Sequence, residues 1–322
     1  MRILITGISG FVGRHLATQL HERYPQAEIH GTTRQTPFPD LPFATCHALD
    51  LRDETSVTAL VTAIQPDQIY HLAAQAFVPR SFSDPWETIE INVRAQLNLF
   101  LACIALSLSP RILVVSSAEI YGIVDETHIP MREDLPPRPT SPYSVSKVTQ
   151  DMLALQYYLS HNLQVMRARP FNHFGPGQNE RFVAPAFALQ IAQIEANLNP
   201  PIIQVGDLSA KRDFTDVRDI VNAYRLIMES GTPGAVYNVA SGVAHSIAHL
   251  LQTLIGLANK QIEVQVDESR LRPVHIPILL GDAQFLRNST GWAPQYSFEA
   301  SLQDVLEDCR QRVQSGNLPQ SL

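Results

Sequence analysis

Short runs rich in β-branched and other apolar residues alternate along the first half of the chain with stretches whose apolar positions recur every three or four residues. The runs are Arg2–Thr6, Glu28–Thr32, Gln68–Leu72, Arg111–Ser116 and Gln164–Arg169, each reading as a strand. Between them, Gly13–Arg23, Asp53–Ile64 and Glu87–Ala105 carry the helical period. A βαβα alternation of this kind predicts a parallel sheet covered on both faces.

Beyond Pro170 the texture changes to loops rich in Pro, Asn and Gly, interrupted by two amphipathic patches at Pro185–Asn197 and Ser246–Ala258. A strand-like run, Val236–Val239, is expected to return to the N-terminal sheet. The predicted organisation is therefore a doubly wound α/β domain over residues 1–169, with 214–242 returning to it. Residues 170–213 and 243–322 form a smaller, discontinuous α/β lobe. The chain has no internal repeat and no low-complexity segment.

Composition adds limits more than content. With 322 residues and 45% apolar residues the chain can bury a sizeable core. A net charge of −7 argues against a nucleic-acid surface, which needs clustered Lys and Arg, although a local arginine cluster can still bind a phosphate. Cys46, Cys103 and Cys309 are odd in number, widely spaced and without metal-ligand spacing. They read as reduced thiols of a cytoplasmic protein, with no metal expected. Met1-Arg2 runs directly into a short strand rather than a signal peptide, and no apolar run reaches the length of a membrane span.

The chemistry starts at Thr6-Gly7-Ile8-Ser9-Gly10-Phe11-Val12-Gly13, a strand end, a glycine-rich turn and a helix start. Glycines at 7, 10 and 13 permit a tight turn, close approach to a pyrophosphate and close helix–strand packing. The helix N-terminus adds unpaired N–H groups and a favourable dipole. The spacing is G-x-x-G-x-x-G, and its place after the first strand favours a dinucleotide site over a plain flexible turn. The second strand ends in Thr32-Thr33-Arg34, where an NAD site usually has an acidic residue. Hydroxyls and Arg34 suit a 2′-phosphate instead, so NADP(H) is the preferred cofactor, with NAD(H) possible and a solvated surface arginine as the alternative. Asp50-Leu51 follows the third candidate strand, where a carboxylate can accept from the adenine amino group. Leu72-Ala73-Ala74 follow the fourth, small enough for backbone to lie beside the cofactor, and His71 reads as a packed structural residue.

Tyr143 and Lys147 stand four apart, on one face of a helix. A lysine there favours phenolate and is expected to lower the tyrosine pKa. Ser116 and Ser117 end the strand that begins at Arg111, where a parallel sheet presents its site. Y-x-x-x-K alone means little; with the glycine turn and the serines, in this order on these elements, it is a strong signal.

Together these motifs resemble the extended short-chain dehydrogenase/reductases that act on nucleotide sugars, with their Rossmann-type sheet. Within them the chain is most similar to the GDP-4-keto-6-deoxymannose reductases and the related GDP-mannose 4,6-dehydratases. The resemblance runs through Thr6–Gly13, His71–Ala74, Ser116–Gly122, Pro142–Lys147, Arg169–Gln178, Lys211–Arg218 and Leu271–Pro273. It implies that Tyr143 is the acid/base, that Lys147 supports it and holds the nicotinamide ribose, and that Ser117 and Ala118 touch the substrate. It further implies Asn172 on the diphosphate or adjoining sugar, with Arg181, Arg212 and Arg272 around the nucleotide diphosphate. For each single arginine a surface ion pair is the alternative. A GDP-sugar partner and a homodimer built from Glu87–Ala105 and Ser144–Ser160 are also implied.

Reductase and dehydratase both remain open at Ser117-Ala118-Glu119. The resemblance gives dehydratases a Thr followed by an acidic residue here, and Ser117 with Glu119 nearly reproduces that pair. Some related reductases carry the acid too. Ala118 stands where epimerising relatives place a cysteine. The compact length and the lack of an extra arginine after the second strand favour reduction at C4. A catalytically silent NADP-binding regulator is the remaining alternative, and the intact Tyr143, Lys147 and serines speak against it.

Overall fold

The computed structural model describes residues 1–34, 36, 40–267 and 276–316. Thirteen strands are described, in chain order β1 Arg2–Thr6, β2 Glu28–Thr33, β3 Ala44–Ala48, β4 Gln68–His71, β5 Arg111–Val115, β6 Val165–Pro170 and β7 Asn172–Phe174. They continue as β8 Ile202–Val205, β9 Lys211–Asp216, β10 Val236–Val239, β11 Ala244–Ser246, β12 Glu263–Val266 and β13 Ile278–Leu279. Seven of them form one sheet in the order β10-β6-β5-β4-β1-β2-β3, every pairing parallel. Strand order reverses between β1 and β4, which opens a crevice at the carboxyl ends of those two strands.

The strand interiors explain the double winding. Ile3 and Ile5 of β1 enter one core, together with Leu16 and Leu20 of helix Phe11–Arg23. Leu4 between them enters the opposite core, with Val57, Val61 and Leu99. Alternate side chains of one buried strand thus serve two helical layers.

Val236–Val239 pairs in parallel with β6 through Val236↔Arg167 and Val239↔Pro170. Helix Val217–Ser230 precedes it and places Ile220, Tyr224 and Ile227 in the same core as Ile3. Its apolar residues fall at helical spacing, so its pattern was readable although only two helical patches are anticipated after Pro170. The same holds for the long C-terminal helix Phe298–Gln314, which buries Leu302, Val305, Leu306 and Cys309. That helix joins Val183–Glu195 and Ile247–Gly256 around a separate core with Phe174 and Phe214. Strand β9 is the hub of a small sheet in which β11, β13 and β7 all pair with it. Residues Ile276, Leu279, Leu286 and Trp292 pack into the large sheet's core rather than this second one.

The stretch Glu87–Ala105, expected as one helix, is interrupted. Helix Pro85–Ile89 passes through a π-helical turn, Glu90–Arg94, into helix Ala95–Ala105. Such wide turns recur at functional sites. Here the turn faces the helix that carries Tyr143. No described helix is long and apolar enough to cross a membrane.

Candidate active site

Gly7 adopts φ +72°, and a Cβ there would lie 3.0 Å from the Ala73 Cα. Only glycine combines that backbone with so close a neighbour. A Cβ on Gly13 would stand 2.4 Å from the Gly7 carbonyl oxygen. The turn is tied to β2 by Gly7 and Ile8 N–H groups donating to the Thr32 carbonyl at 3.0 and 3.1 Å. Gly10 begins helix Phe11–Arg23 with no side-chain cap and no acidic residue in the first turn. That leaves a helix N-terminus whose N–H groups and dipole suit an anion. Ser9 Oγ donates to Thr33 Oγ1 at 2.9 Å, and the Ser9 carbonyl takes the Arg14 guanidinium at 3.0 Å. Phe11 stacks at 6.2 Å on His173, and Val12 follows it, half-buried, on the same helix.

Thr6 Oγ1 accepts from the Leu72 and Ala73 N–H groups, both at 3.1 Å. The same hydroxyl also hydrogen-bonds His71 Nδ1 at 2.9 Å. Burial, with Lys147 nearby, lowers the His71 pKa to about 3. The ring is neutral, its Nε2 lies 3.5 Å from the Gln150 amide nitrogen, and its role is structural. Ala74 continues this loop, half-buried.

Arg34 lies exposed just past β2, and its charge helps to keep Asp50 ionised. The larger influence on Asp50 is Arg52, whose guanidinium forks its carboxylate at 3.0, 3.0 and 2.5 Å and holds its pKa below the usual range. Asp50 thus enters the crevice already paired, a restraint the sequence reading did not include. Leu51 is buried, and its carbonyl accepts from Asn98 at 2.9 Å.

At the end of β5, Ser116 Oγ donates to the Lys147 carbonyl at 3.3 Å. Ser117 Oγ caps the short turn Ala118–Ile120 by accepting from the Glu119 N–H at 3.1 Å, and it also hydrogen-bonds the Tyr143 side chain. Tyr143 sits in the first turn of helix Pro142–His161. Ser141 and Ser144 close a reciprocal capping box there, and Pro142 pre-sets the first turn. Lys147, one turn on, donates from Nζ to the Val115 carbonyl at 2.9 Å and lies 6.0 Å from the Tyr143 ring centre. Ser117 and Tyr143 are each 8% exposed and Lys147 4%.

The tyrosine pKa moves opposite to expectation. Burial pushes it up to about 12, the Ser117 hydrogen bond works against that, and the Glu119 charge adds to it. Burial also brings Lys147 down to about 7. Desolvation outweighs the attraction that the spacing suggested, because both groups lie inside the protein. The phenol is held in its proton-bearing form.

The substrate-side residues are less gathered. Asn172, half-buried, opens β7 opposite Phe214 of β9. Arg212 lies on β9 opposite His245 and donates to the Lys211 carbonyl at 2.8 Å. Arg181 is exposed before helix Val183–Glu195, its guanidinium 5.8 Å from the Phe77 ring across the cleft. Arg272, with its neighbours Leu271 and Pro273, lies outside the described residues.

A polar stripe was missed by motif reading. Thr88, Asn92 and Gln96 recur every fourth residue and are all fully buried. Asn92 accepts from the Gln75 N–H at 2.7 Å and donates to the Gln75 carbonyl at 3.2 Å and to Ser146 Oγ at 2.9 Å. Thr88 takes the Gln75 amide at 3.0 Å, and Gln96 donates to the Gln150 carbonyl at 2.8 Å. The stripe ties the loop after β4 to the Tyr143 helix. The signal in the sequence was three uncharged polar residues, Thr88, Asn92 and Gln96, at helical spacing.

The sequence model described as GDP-mannose 4,6 dehydratase matches residues 4–305. The chain belongs to this family. Among the family's relatives, the chain is 38% identical to the GDP-6-deoxy-D-mannose reductase of Pseudomonas aeruginosa, over 97% of its length and 98% of the relative's. It is 26% identical to the GDP-mannose 4,6-dehydratase of Vibrio cholerae, over 97% and 94%. That alignment extends over 358 residues, longer than this chain, which requires insertions in the dehydratase. The structure of RMD from Pseudomonas aeruginosa complexed with NADPH superposes with a TM-score of 0.85 at 37% identity, covering 97% of this chain and 99% of that one.

Proposed function

We propose that the protein is an NADP(H)-dependent GDP-sugar reductase. It reduces the C4 ketone of GDP-4-keto-6-deoxymannose to a GDP-6-deoxyhexose such as GDP-rhamnose. The observation that carries this reading is the buried Ser117–Tyr143–Lys147 group, with its phenol held protonated, in a chain matched end to end by a reductase. Reduction at C4 needs a proton donor to the ketone oxygen, and Tyr143 is in the donor form.

The crevice fits a dinucleotide. A Cβ would fill the space at Gly7, the helix N-terminus at Gly10 is uncapped, and Arg34 stands exposed beyond β2 to meet a 2′-phosphate. NADPH is therefore the preferred cofactor, with NADH possible. When bound, it supplies the hydride. Gly7, Ser9, Gly10, Phe11, Val12 and Gly13 would hold its diphosphate, and Arg34, Asp50 and Leu51 its adenosine end. Leu72, Ala73, Ala74, Ser116 and Lys147 would line the remainder. Ser117 fixes the ketone oxygen beside Tyr143, which passes its proton to that oxygen as charge develops. Lys147, near neutrality in pKa, keeps the phenol's surroundings electropositive when protonated. Asn172, Arg181, Arg212 and Arg272 would take the diphosphate and nucleotide, since guanidinium forks match phosphate oxygens.

Dehydration of GDP-mannose is the second reading, favoured by Glu119 on the turn that Ser117 caps. Two assays separate them by product mass: GDP-4-keto-6-deoxymannose with NADPH, and GDP-mannose with NADP⁺. Turnover of only the second pair would overturn the reductase reading.

The domain division, with 1–169 and 214–242 binding the cofactor and the remainder the substrate, belongs to the same proposal. So does a homodimer. Val145, Met152 and Leu159 are exposed seven residues apart on helix Pro142–His161, a continuous apolar stripe suited to a second copy. Leu159→Glu should then yield monomers by light scattering. Three free thiols suit the reducing cytoplasm.

A further inference from the structure

The helix carrying Tyr143 and the turn carrying Ser117 come from distant parts of the sequence, yet their side chains must meet at one oxygen. One buried polar network joins them. Asp151 lies one turn beyond Lys147 on the same helix and is fully buried. Its carboxylate takes Arg167 at 2.7 Å and Arg169 at 2.9 and 3.1 Å, both arginines from β6. Arg169 then reaches the other way. Its Nη1 donates to the Tyr121 hydroxyl at 3.0 Å and to the Glu133 carbonyl at 2.9 Å, with its guanidinium carbon 5.3 Å from the Tyr121 ring centre.

Tyr121 closes the turn Ala118–Ile120 that begins at Ser117. Its hydroxyl donates a hydrogen bond to Asn238 Oδ1 at 2.7 Å. Asn238 donates from Nδ2 to the Met131 and Asp282 carbonyls at 3.0 and 3.2 Å, and its N–H meets the Glu133 carboxylate at 2.8 Å. The chain of contacts therefore runs from the Tyr143 helix, through one guanidinium, to the far end of the Ser117 turn. Two guanidinium groups face one carboxylate of Asp151, with the Glu133 carboxylate close by to offset the second charge. Its polar members leave little slack, because charged groups in such a setting are stable only when each is held in place.

We propose that Arg169 and Tyr121 are positioning residues that set the separation of Ser117 and Tyr143 for proton transfer at C4. The proposal rests on the reductase reading above. Neither residue touches substrate or cofactor in this role. Their effect is on the alignment of groups that do, and small misplacements there cost rate rather than affinity.

Tyr121→Phe is the mildest probe. It keeps the ring against Phe171 and leaves Arg169 Nη1 its Glu133 partner, so the fold should survive. The expected result, with GDP-4-keto-6-deoxymannose and NADPH, is a kcat about tenfold lower. KM and the NADPH Kd should stay within about twofold. Arg169→Lys keeps a cation for Asp151 but cannot serve Asp151, Tyr121 and Glu133 together, and should lower kcat further. Because both act through one link, the double variant should be no slower than Arg169→Lys alone.

Normal kcat in Tyr121→Phe would overturn the proposal. So would losses in kcat, KM and NADPH binding of equal size, which would mark a general loosening of the fold, or strict multiplication of the two single losses. If Tyr121→Phe does not fold, the same criteria apply to Arg169→Lys. Tyr143→Phe, run alongside, separates the two levels of the argument. If it retains turnover, the reading of the site fails; if it is inactive while Tyr121→Phe is normal, only the positioning role fails.

Discussion

The two walls of the cleft are held by different means. On the sheet side, Ser117, Tyr143 and Lys147 are nearly inaccessible, and the helix and turn that bear them are fastened by Asn92, Gln96 and Asp151. On the lobe side, Arg181 is exposed and lies against the Phe77 face, and Arg212 donates to the adjacent Lys211 carbonyl. Proton transfer demands sub-ångström alignment, whereas a diphosphate can be gathered by mobile guanidinium groups. Relatives of this chain are named for different reactions, a reductase and a dehydratase, on similar chains.

That contrast can be broken by experiment. The largest effect is expected from Tyr143→Phe, which keeps the ring and deletes the proton. Turnover should fall on the order of a hundred- to ten-thousand-fold, with GDP-sugar binding little changed by calorimetry. Next comes Asn92→Ala, which strips partners from the Gln75 backbone and Ser146. It should cost about 3 kcal/mol in urea unfolding, because buried groups are left unsatisfied. A change below about 0.5 kcal/mol would show that the sheet-side wall does not depend on this clamp.

On the cofactor, Arg34→Ala should weaken NADPH about tenfold while leaving NADH unchanged, the size of one charge-assisted contact. Equal effects on both would remove the 2′-phosphate assignment. The smallest effect is expected from Glu119→Gln. If the protein is a reductase, kcat should stay within about threefold, since hydride transfer at C4 requires no base at C5. The Glu119 charge raises the Tyr143 pKa, so its removal should lower that pKa. Activity that depends on the protonated phenol is lost as pH rises through the pKa, so the alkaline limb should move to lower pH. A limb that stays in place would dissociate Glu119 from the phenol.

What was legible in the sequence follows the same division. The glycine turn, Tyr143 with Lys147, and the strand-end serines are local patterns, set by a few consecutive residues and the strand or helix that holds them. The sheet and its return strand Val236–Val239 were likewise readable from runs of apolar residues. The fastenings were not. Asn92 meets Gln75 and Ser146, 17 and 54 residues away, and Arg169 meets Tyr121 at a separation of 48. No local pattern announces such pairs. The direction of the Tyr143 pKa was misjudged for a related reason, since spacing reports the neighbouring lysine but not the depth at which both are buried. Asp50 is a different case. Its partner Arg52 is two residues away and could have been anticipated.

The π-helical turn Glu90–Arg94 has a consequence for how this chain can vary. In an α-helix four residues overshoot a full turn by about 40°, so a stripe at every fourth position drifts around the axis. The wider turn at Asn92 offsets part of that drift and keeps Thr88, Asn92 and Gln96 aimed at one neighbour. Five residues in the wider turn sweep about the same angle as four in an α-helix, so deleting a single residue within 90–94 would let an uninterrupted α-helix form while the segment after it keeps nearly its present heading. Gln96 and Cys103 would stay in the interior, and Leu101 would stay exposed. The extra residue at this turn is therefore the one whose loss the helix can absorb without changing its phase against the catalytic helix beside it.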